Sequence, residues 1–347
     1  MIKIQESVPD NIVIPGEQVA GLPIGQDWRD RIRLVAVFLG VSAFIYVGVT
    51  LWIGRTVWSG QATWTLLNLH ELPEVVILVF VGVSFRVVRF YYYGRRLLWS
   101  VPFWSSSAIF IASFSLTVTP GKAGELLKST LLRARYGTSL AQSAGVLVVE
   151  RLGDLLALLI LASAGFLLFS GLTNYFILSV VAVLLICAAP NTIAHRLLQW
   201  STRYERVGPF AERLLRVTQT IGALLKPEPL LIGLSLALAG WASEAYAFAV
   251  LTQKLPVAIP LIAAFSIVGL SAVVGALSML PGGLGSVETV MALLLTKLGV
   301  DLPSAGLIVI MYRLCTLYLM TFVGILVFGM LKLMDNVPQR SNSLAGE

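Results

Sequence analysis

Charged residues are scarce in this chain. Only 18 acidic and 25 basic side chains occur among 347 residues, so that charged residues make up 12% of the sequence and hydrophobic residues 57%. A soluble globular domain carries about 25% charged residues, because it must present a polar surface to water. The shortage of charge therefore excludes a soluble enzyme domain and a disordered chain, and it predicts an integral membrane protein.

Cysteine and histidine are also scarce. Cys187 and Cys315 lie in apolar runs, and His70 and His195 lie in predicted loops. Disulfide scaffolds and metal centres need several such residues at suitable spacing. The phosphate-binding loop of nucleotide-driven enzymes is missing from the sequence as well. We therefore expect no cofactor, no metal and no ATP-driven transport by this chain alone.

Long hydrophobic runs fill most of the sequence. A spanning helix needs about 20 apolar residues, which leaves room for about six to eight segments and for little else. The candidate segments are residues 34–53, 74–93, 101–119, 139–170, 174–190, 229–252, 260–280, 287–298 and 304–333. We expect a polar arm at residues 1–30, a basic cytoplasmic segment at 191–228 and a tail at 334–347.

The distribution of lysine and arginine predicts the topology, since these residues collect in cytoplasmic loops. If residues 101–119 and 260–298 belong to re-entrant hairpins, 18 of the 25 basic residues lie inside, 3 lie outside and 4 lie within spans. A complete crossing by residues 101–119 would place two basic loops outside. The sequence therefore predicts an all-α protein with about six full spans, two re-entrant hairpins and cytoplasmic termini.

The same topology makes the chain repeat itself with opposite orientation. Each half contains two spans, a re-entrant hairpin and a further span. Pro120 precedes Arg151 by 31 residues, and Pro281 precedes Arg313 by 32. The matched spacing predicts two inverted-topology halves, and chance agreement between small residues is the alternative. The predicted membrane repeats are residues 31–171 and 172–333.

The two hairpin turns are candidate anion-binding sites. A helix that begins inside the bilayer points unpaired N–H groups into a cavity, where they favour an anion. Glycine lets a ligand approach the backbone, and Thr119 can cap the first half-helix. The remaining candidate turn residues are Gly121, Gly282 and Gly283. The alternative is a pair of surface loops between complete spans.

Ionisable residues within the predicted spans are the second set of candidates, because each is costly in a bilayer unless it is paired or hydrated. Arg86 and Arg89 share a helix face, and arginine suits phosphate because its planar fork binds two oxygens. Snorkelling towards the cytoplasmic headgroups is the alternative for both, and function is favoured for Arg86.

Further charges lie in the fourth segment and in the last one. Arg151 and Asp154 can pair along one helix, which leaves Glu150 for another partner, whereas Arg313 needs a partner from elsewhere. The candidate partners of Arg313 are Glu125, Glu150, Glu244, Glu288 and a bound phosphate. The alternative is that these charges neutralise one another and only fix helix packing.

Four motifs carry a family resemblance. They are Thr-Pro-Gly-Lys-Ala-Gly-Glu at 119–125, Glu-Arg-Leu-Gly-Asp at 150–154, Leu-Pro-Gly-Gly-Leu-Gly at 280–285 and Tyr-Arg-Leu at 312–314. In this order they resemble the lysylphosphatidylglycerol synthase transmembrane family, the flippase-like domain of the multiple peptide resistance factor. The resemblance runs from about residue 30 to 333 and implies movement of a polar lipid between leaflets. The motif residues that it implicates are Lys122, Glu125, Glu150, Arg151, Asp154, Glu288 and Arg313.

We therefore expect a lipid flippase of a bacterial or archaeal inner membrane. Without a synthase domain up to residue 347, we expect a transporter and not an enzyme. The expected partners are the bilayer and a phospholipid, an aminoacyl-lipid or a polyprenyl-linked glycolipid, but no nucleic acid, and a homo-oligomer stays open. The alternatives are a secondary transporter of a small soluble anion, whose site would be sealed from the bilayer, and a membrane scaffold with fully paired charges.

Overall fold

The described part of the chain is helical throughout. The computed structural model describes residues 69–117, 123–163, 165, 208–278 and 280–335. Within these residues every regular element is a helix, in agreement with the predicted all-α membrane protein. The helices are α1 (Leu72–Arg96), α2 (Phe103–Ser113), α3 (Ala123–Tyr136), α4 (Leu140–Ser163), α5 (Gly208–Leu224), α6 (Pro227–Thr252), α7 (Leu261–Leu277), α8 (Ser286–Lys297), α9 (Leu302–Arg313) and α10 (Leu319–Asp335).

Three described helical stretches are long and apolar enough to cross a membrane. They are α1, α6 and the continuous run Leu302–Met334, which joins α9 to α10. Helix α4 has 24 residues, but its middle carries three charged side chains. The predicted spans 34–53 and 174–190 and the polar arm 1–30 lie outside the described residues, so the number of six spans and the repeat boundaries stay predictions.

Helix α1 and helix α6 form an antiparallel pair at the centre of the described fold. Valine recurs every four residues on α1 from Val75 to Val87, and this stripe is buried. Small residues let transmembrane backbones approach closely, which favours dispersion contacts. A Cβ atom on Gly82 would lie 2.8 Å from the carbonyl oxygen of Gly240, so both crossing positions require glycine.

Ion pairs tie both ends of this helix pair. Lys254, just after α6, lies 2.5 Å from Glu71, just before α1. At the other end, Arg96 of α1 pairs with Glu228 in the first turn of α6. The pair is therefore fixed in register at both ends and in the middle.

Two helical hairpins flank the central pair at the two predicted positions, and their re-entry into the membrane stays a prediction. Helices α2 and α3 pack together, and so do α7 and α8. In the second hairpin a 3₁₀ turn at Pro281–Gly283 joins the helices, and Gly282, Gly283 and Gly285 have φ angles of +59°, +67° and +83°. Only glycine adopts this left-handed region without strain, which explains the Gly-rich turn. The turn of the first hairpin, residues 118–122, lies outside the described residues.

Each hairpin packs its first helix against a long helix of the other half of the chain. Helix α2 contacts α10, and α7 contacts α4. Glycine allows close approach of the backbones in both contacts. A Cβ on Gly324 would lie 2.5 Å from the backbone nitrogen of Ser115. A Cβ on Gly269 would lie 2.8 Å from the backbone of both Leu158 and Ala162. We call these contacts the α2–α10 seam and the α4–α7 seam.

Helix α9 continues into α10 through a π-helical segment at Leu314–Tyr318. Such segments insert an extra residue into a helical turn and are frequent at functional sites. The segment follows Arg313 directly, so it changes the direction of the side chains that come after this arginine.

The basic segment 191–228 contains helix α5, which packs against α4. A Cβ on Gly145 would lie 2.7 Å from the Cβ of Thr220, and Thr220 and Leu224 are buried. One face of this helix therefore docks on the protein.

Candidate functional site

A cavity of about 540 Å³ lies between the central helix pair, α4, α9 and the two hairpins. Small and hydroxyl-bearing residues such as Ser113, Ser271, Gly275 and Thr316 make room for it. Among the described residues, eight charged side chains line the cavity: Arg86, Arg89, Lys128, Glu150, Arg151, Asp154, Glu244 and Arg313. The remaining lining is largely aliphatic and aromatic. The charged side chains therefore face one another across a cavity whose wall is otherwise mainly apolar.

Arg86 is held against α6 on two sides. Its Nη1 lies 2.7 Å from Oε1 of Glu244, and its guanidinium carbon lies 4.3 Å from the ring centre of Trp241. The glycine crossing of α1 and α6 brings these groups together, because Gly240 precedes Trp241. Nε and Nη2 of Arg86 are buried and have no hydrogen-bond partner among the described residues.

Arg89 is one helical turn further along α1, and it is 1% exposed. Its Nη2 donates to Oδ1 of Asp154 at 2.8 Å, and Nε1 of Trp241 donates to the same oxygen at 3.3 Å. Nη1 lies against Gly153, where a Cβ atom would be 3.5 Å from it, an ordinary contact distance. Nε and Nη1 of Arg89 are buried without a hydrogen-bond partner in the described part of the chain. Burial excludes snorkelling for this arginine.

Lys128 and Glu150 form a buried pair between α3 and α4. Nζ of Lys128 donates to Oε2 of Glu150 at 2.5 Å and lies 4.5 Å and 5.0 Å from the ring centres of Phe90 and Phe110. Aromatic faces attract a cation, so the two rings and the carboxylate hold the ammonium group together. Oε1 of Glu150 has no hydrogen-bond partner among the described residues.

Arg313 is bound to the turn of the second hairpin. Its Nε donates to Oε1 of Glu288 at 2.6 Å, and its Nη2 donates to the carbonyl oxygen of Gly282 at 2.6 Å. Oε2 of Glu288 accepts from the backbone N–H of Gly285 at 2.8 Å. Of the described candidate partners, Glu288 is the one that contacts Arg313, and its carboxylate occupies the start of α8, where an anion was expected.

Arg151 occupies the matching position on α4, with its side chain half exposed. Its Nη1 lies 3.8 Å from Oδ2 of Asp154, three residues away, as predicted for a pair along the helix. The other oxygen of Asp154 serves Arg89, so this carboxylate is shared by two arginines. Glu150 pairs instead with Lys128. The sequence predicted a separate partner for Glu150 without identifying it.

The cavity collects most of the described candidates. Its lining includes Arg86, Glu150, Arg151, Asp154, Gly282, Gly283 and Arg313, and Glu288 lies behind Arg313. Thr119, Gly121, Lys122 and the side chain of Glu125 lie outside the described residues, so the first turn is not tested as a site.

Two cavity residues escaped the sequence analysis. Lys128 lies in the basic stretch that includes Arg133 and Arg135, and it was counted only as a cytoplasmic charge. Trp241 gave no signal, because aromatic residues are common in spanning helices. For Lys128, its place in the segment predicted to return from the membrane is the signal that could have marked it, since a lysine there needs a partner.

One protein-family model matches most of the chain. The family model for the lysylphosphatidylglycerol synthase TM region matches residues 31–324. No curated protein matches the chain significantly.

Proposed function

Because the chain belongs to the lysylphosphatidylglycerol synthase TM region family, we propose that it is a flippase that moves a lipid with a phosphate-bearing headgroup between the two leaflets. The headgroup occupies the charged cavity while the acyl chains stay in the bilayer. On this proposal the chain is a transporter and not an enzyme. It lies in a bacterial or archaeal cell membrane with both termini in the cytoplasm, which the distribution of lysine and arginine supports.

The unpaired donors of Arg86 and Arg89 carry the proposal. Four guanidinium nitrogens of these two residues are buried without a hydrogen-bond partner in the described structure. Leaving a buried charged donor unsatisfied costs about 1–3 kcal/mol or more. Phosphate oxygens accept two hydrogen bonds from one guanidinium group, so a phosphate in the cavity would satisfy these donors.

The charge balance of the site supports an anionic ligand. Five basic side chains face four carboxylates, counting Glu288 behind Arg313, which leaves one excess positive charge among the described residues. A single excess positive charge complements a phosphodiester, which carries one negative charge at neutral pH.

Reciprocal packing supports two inverted halves. Helix α2 packs on α10 as α7 packs on α4, and α3 packs on α4 as α8 packs on α9. Transporters built from inverted repeats expose a midplane site to either side by rocking one repeat against the other. The same movement would open the cavity to alternate leaflets.

Translocation in liposomes tests the proposal. Purified protein is reconstituted with a fluorescent phosphatidylglycerol, and dithionite quenching reports the labelled lipid in the outer leaflet. The double variant Arg86→Gln, Glu244→Gln removes the central ion pair and two of the unpaired donors without changing the net charge. We expect translocation to fall at least 10-fold.

The matched control is Arg96→Gln, Glu228→Gln, which removes an ion pair between the same two helices at their exposed end. This variant should translocate like the wild type. Equal rates for the wild type and the central double variant would refute the proposal. Uptake of soluble glycerol phosphate by the wild type without any lipid movement would instead identify a soluble-anion transporter.

A further inference from the structure

The α4–α7 seam continues beyond the charged cavity. On the cavity side it is formed by Leu155 and Leu158 of α4 and Val268 and Ala272 of α7. One helical turn further lies a second space of about 380 Å³, which we call the seam groove. Its lining is Ile160, Leu161, Leu261, Ile262 and Phe265.

The seam groove and the cavity lie on the same faces of the two helices. Positions 262, 265, 269 and 272 of α7 follow one another at intervals of three or four residues, as do positions 154, 158 and 161 of α4. On α7 the nearest lining residues of the two spaces, Phe265 and Val268, are three residues apart, which is about one helical turn. Gly269 follows Val268 at the border of the cavity, and a Cβ atom there would lie 2.8 Å from the backbone of both Leu158 and Ala162.

We propose that the seam groove binds an acyl chain of the transported lipid while the headgroup lies in the cavity, and that the contact at Gly269 is the constriction through which the lipid enters sideways. This inference rests on the proposed flippase function and adds the path of the chain to it. The occupant is a hydrocarbon chain, since every groove residue is apolar.

The distances suit a lipid. From Asp154 to Leu161 the helix rises about 10 Å, at about 1.5 Å per residue. The headgroup region of one leaflet is about 5–8 Å thick. A phosphate held at the arginines therefore places the beginning of its acyl chains near the seam groove. A soluble anion has no acyl chain and would not occupy the seam groove.

The seam is held more weakly than the central helix pair. Three ion pairs connect α1 to α6 or its end: Arg86–Glu244, Arg96–Glu228 and Glu71–Lys254. Across the described α4–α7 seam the side-chain hydrogen bond is that of Ser266 to the carbonyl oxygen of Leu161, at 3.5 Å. Separation of α4 from α7 therefore breaks little beyond dispersion contacts.

Photolabelling tests the inference. The full chain is reconstituted in phosphatidylcholine liposomes with a trace of phosphatidylglycerol that carries a diazirine in one acyl chain. Labelled residues are mapped by mass spectrometry. We expect labelling of Leu161, Ile262 and Phe265 at least fivefold above that of Ile77, an exposed residue of α1. An excess of unlabelled phosphatidylglycerol should abolish the difference.

Two tryptophan variants separate the groove from the lipid surface in general. Ile262→Trp fills the groove and should reduce labelling of Leu161 at least fivefold, whereas Ile77→Trp should leave it unchanged. Labelling of the groove no stronger than at Ile77, or unaffected by Ile262→Trp, would overturn the inference. If lipid translocation is nevertheless lost in the central double variant, the proposed function stands without it. Specific groove labelling in a protein that translocates no lipid would support the groove and contradict the function.

Discussion

The pair of Arg89 and Asp154 makes a quantitative prediction about stability. Arg89 is 1% exposed, and its Nη2 lies 2.8 Å from Oδ1 of Asp154. Removing one partner of a buried ion pair leaves an uncompensated charge and costs about 3–5 kcal/mol. We therefore expect Asp154→Asn to lower the free energy of unfolding by about this amount, which corresponds to roughly 4–7 °C in Tm for a chain of 347 residues.

Thermal unfolding in detergent, followed by tryptophan fluorescence, measures this effect. The double variant Arg89→Gln, Asp154→Asn removes both charges and should regain most of the loss, because no buried charge remains without a partner. Arg96→Gln serves as the exposed control. Its pair with Glu228 is accessible to water, so it should contribute at most about 1 kcal/mol.

The comparison of single and double variants decides the matter. Equal Tm values for Asp154→Asn and the double variant would show that the carboxylate acts through other contacts, such as that with Trp241. A loss for Asp154→Asn no larger than that for Arg96→Gln would refute the view that the cavity charges are costly to separate.

Three further predictions use other parts of the structure. Gly82→Val should destabilise the protein by about 1–3 kcal/mol, since the added atoms meet the α6 backbone, and unfolding in detergent measures it. Glu288→Gln removes the charge that orients Arg313 and should slow lipid translocation in liposomes about 10-fold. The hydrogen bond from the Lys254 ammonium lowers the pKa of Glu71, so this pair stabilises the protein above the ordinary pKa of a glutamate and loses its effect as the pH falls below that pKa. The fall in Tm between pH 5 and pH 3 should therefore be smaller in Glu71→Gln than in the wild type.

The helices and hairpins were predictable because their signals are local. Apolar runs mark spans, and Pro-Gly pairs such as Pro281-Gly282 break them. Ionisable residues in apolar runs also stand out, which explains why Arg86 and Arg313 were found without a structure.

The pairing of the charges was not predictable, because it depends on tertiary contacts. Arg89 could equally have reached the headgroups, and only the position of Asp154 on α4 shows that it turns inward. Lys128 shares its basic surroundings with residues outside the cavity, and its partner Glu150 lies on another helix. A sequence shows which charges must find partners, whereas the fold decides which partners they find.

The pairing order has a consequence for how the protein is made. Helix α1 leaves the ribosome with two arginines in its apolar run, but Asp154 follows Arg89 only 65 residues later. The partner of Arg86 is further away still. At about 5–20 residues per second, the roughly 160 residues up to Glu244 take on the order of 8–30 s to synthesise. During this time Arg86 must stay hydrated or held by the insertion machinery, since an arginine at the bilayer centre costs about 2.5–3.5 kcal/mol on insertion scales. We therefore expect a chain truncated before α6, in which Arg86 lacks Glu244, to be a substrate for membrane quality-control proteases.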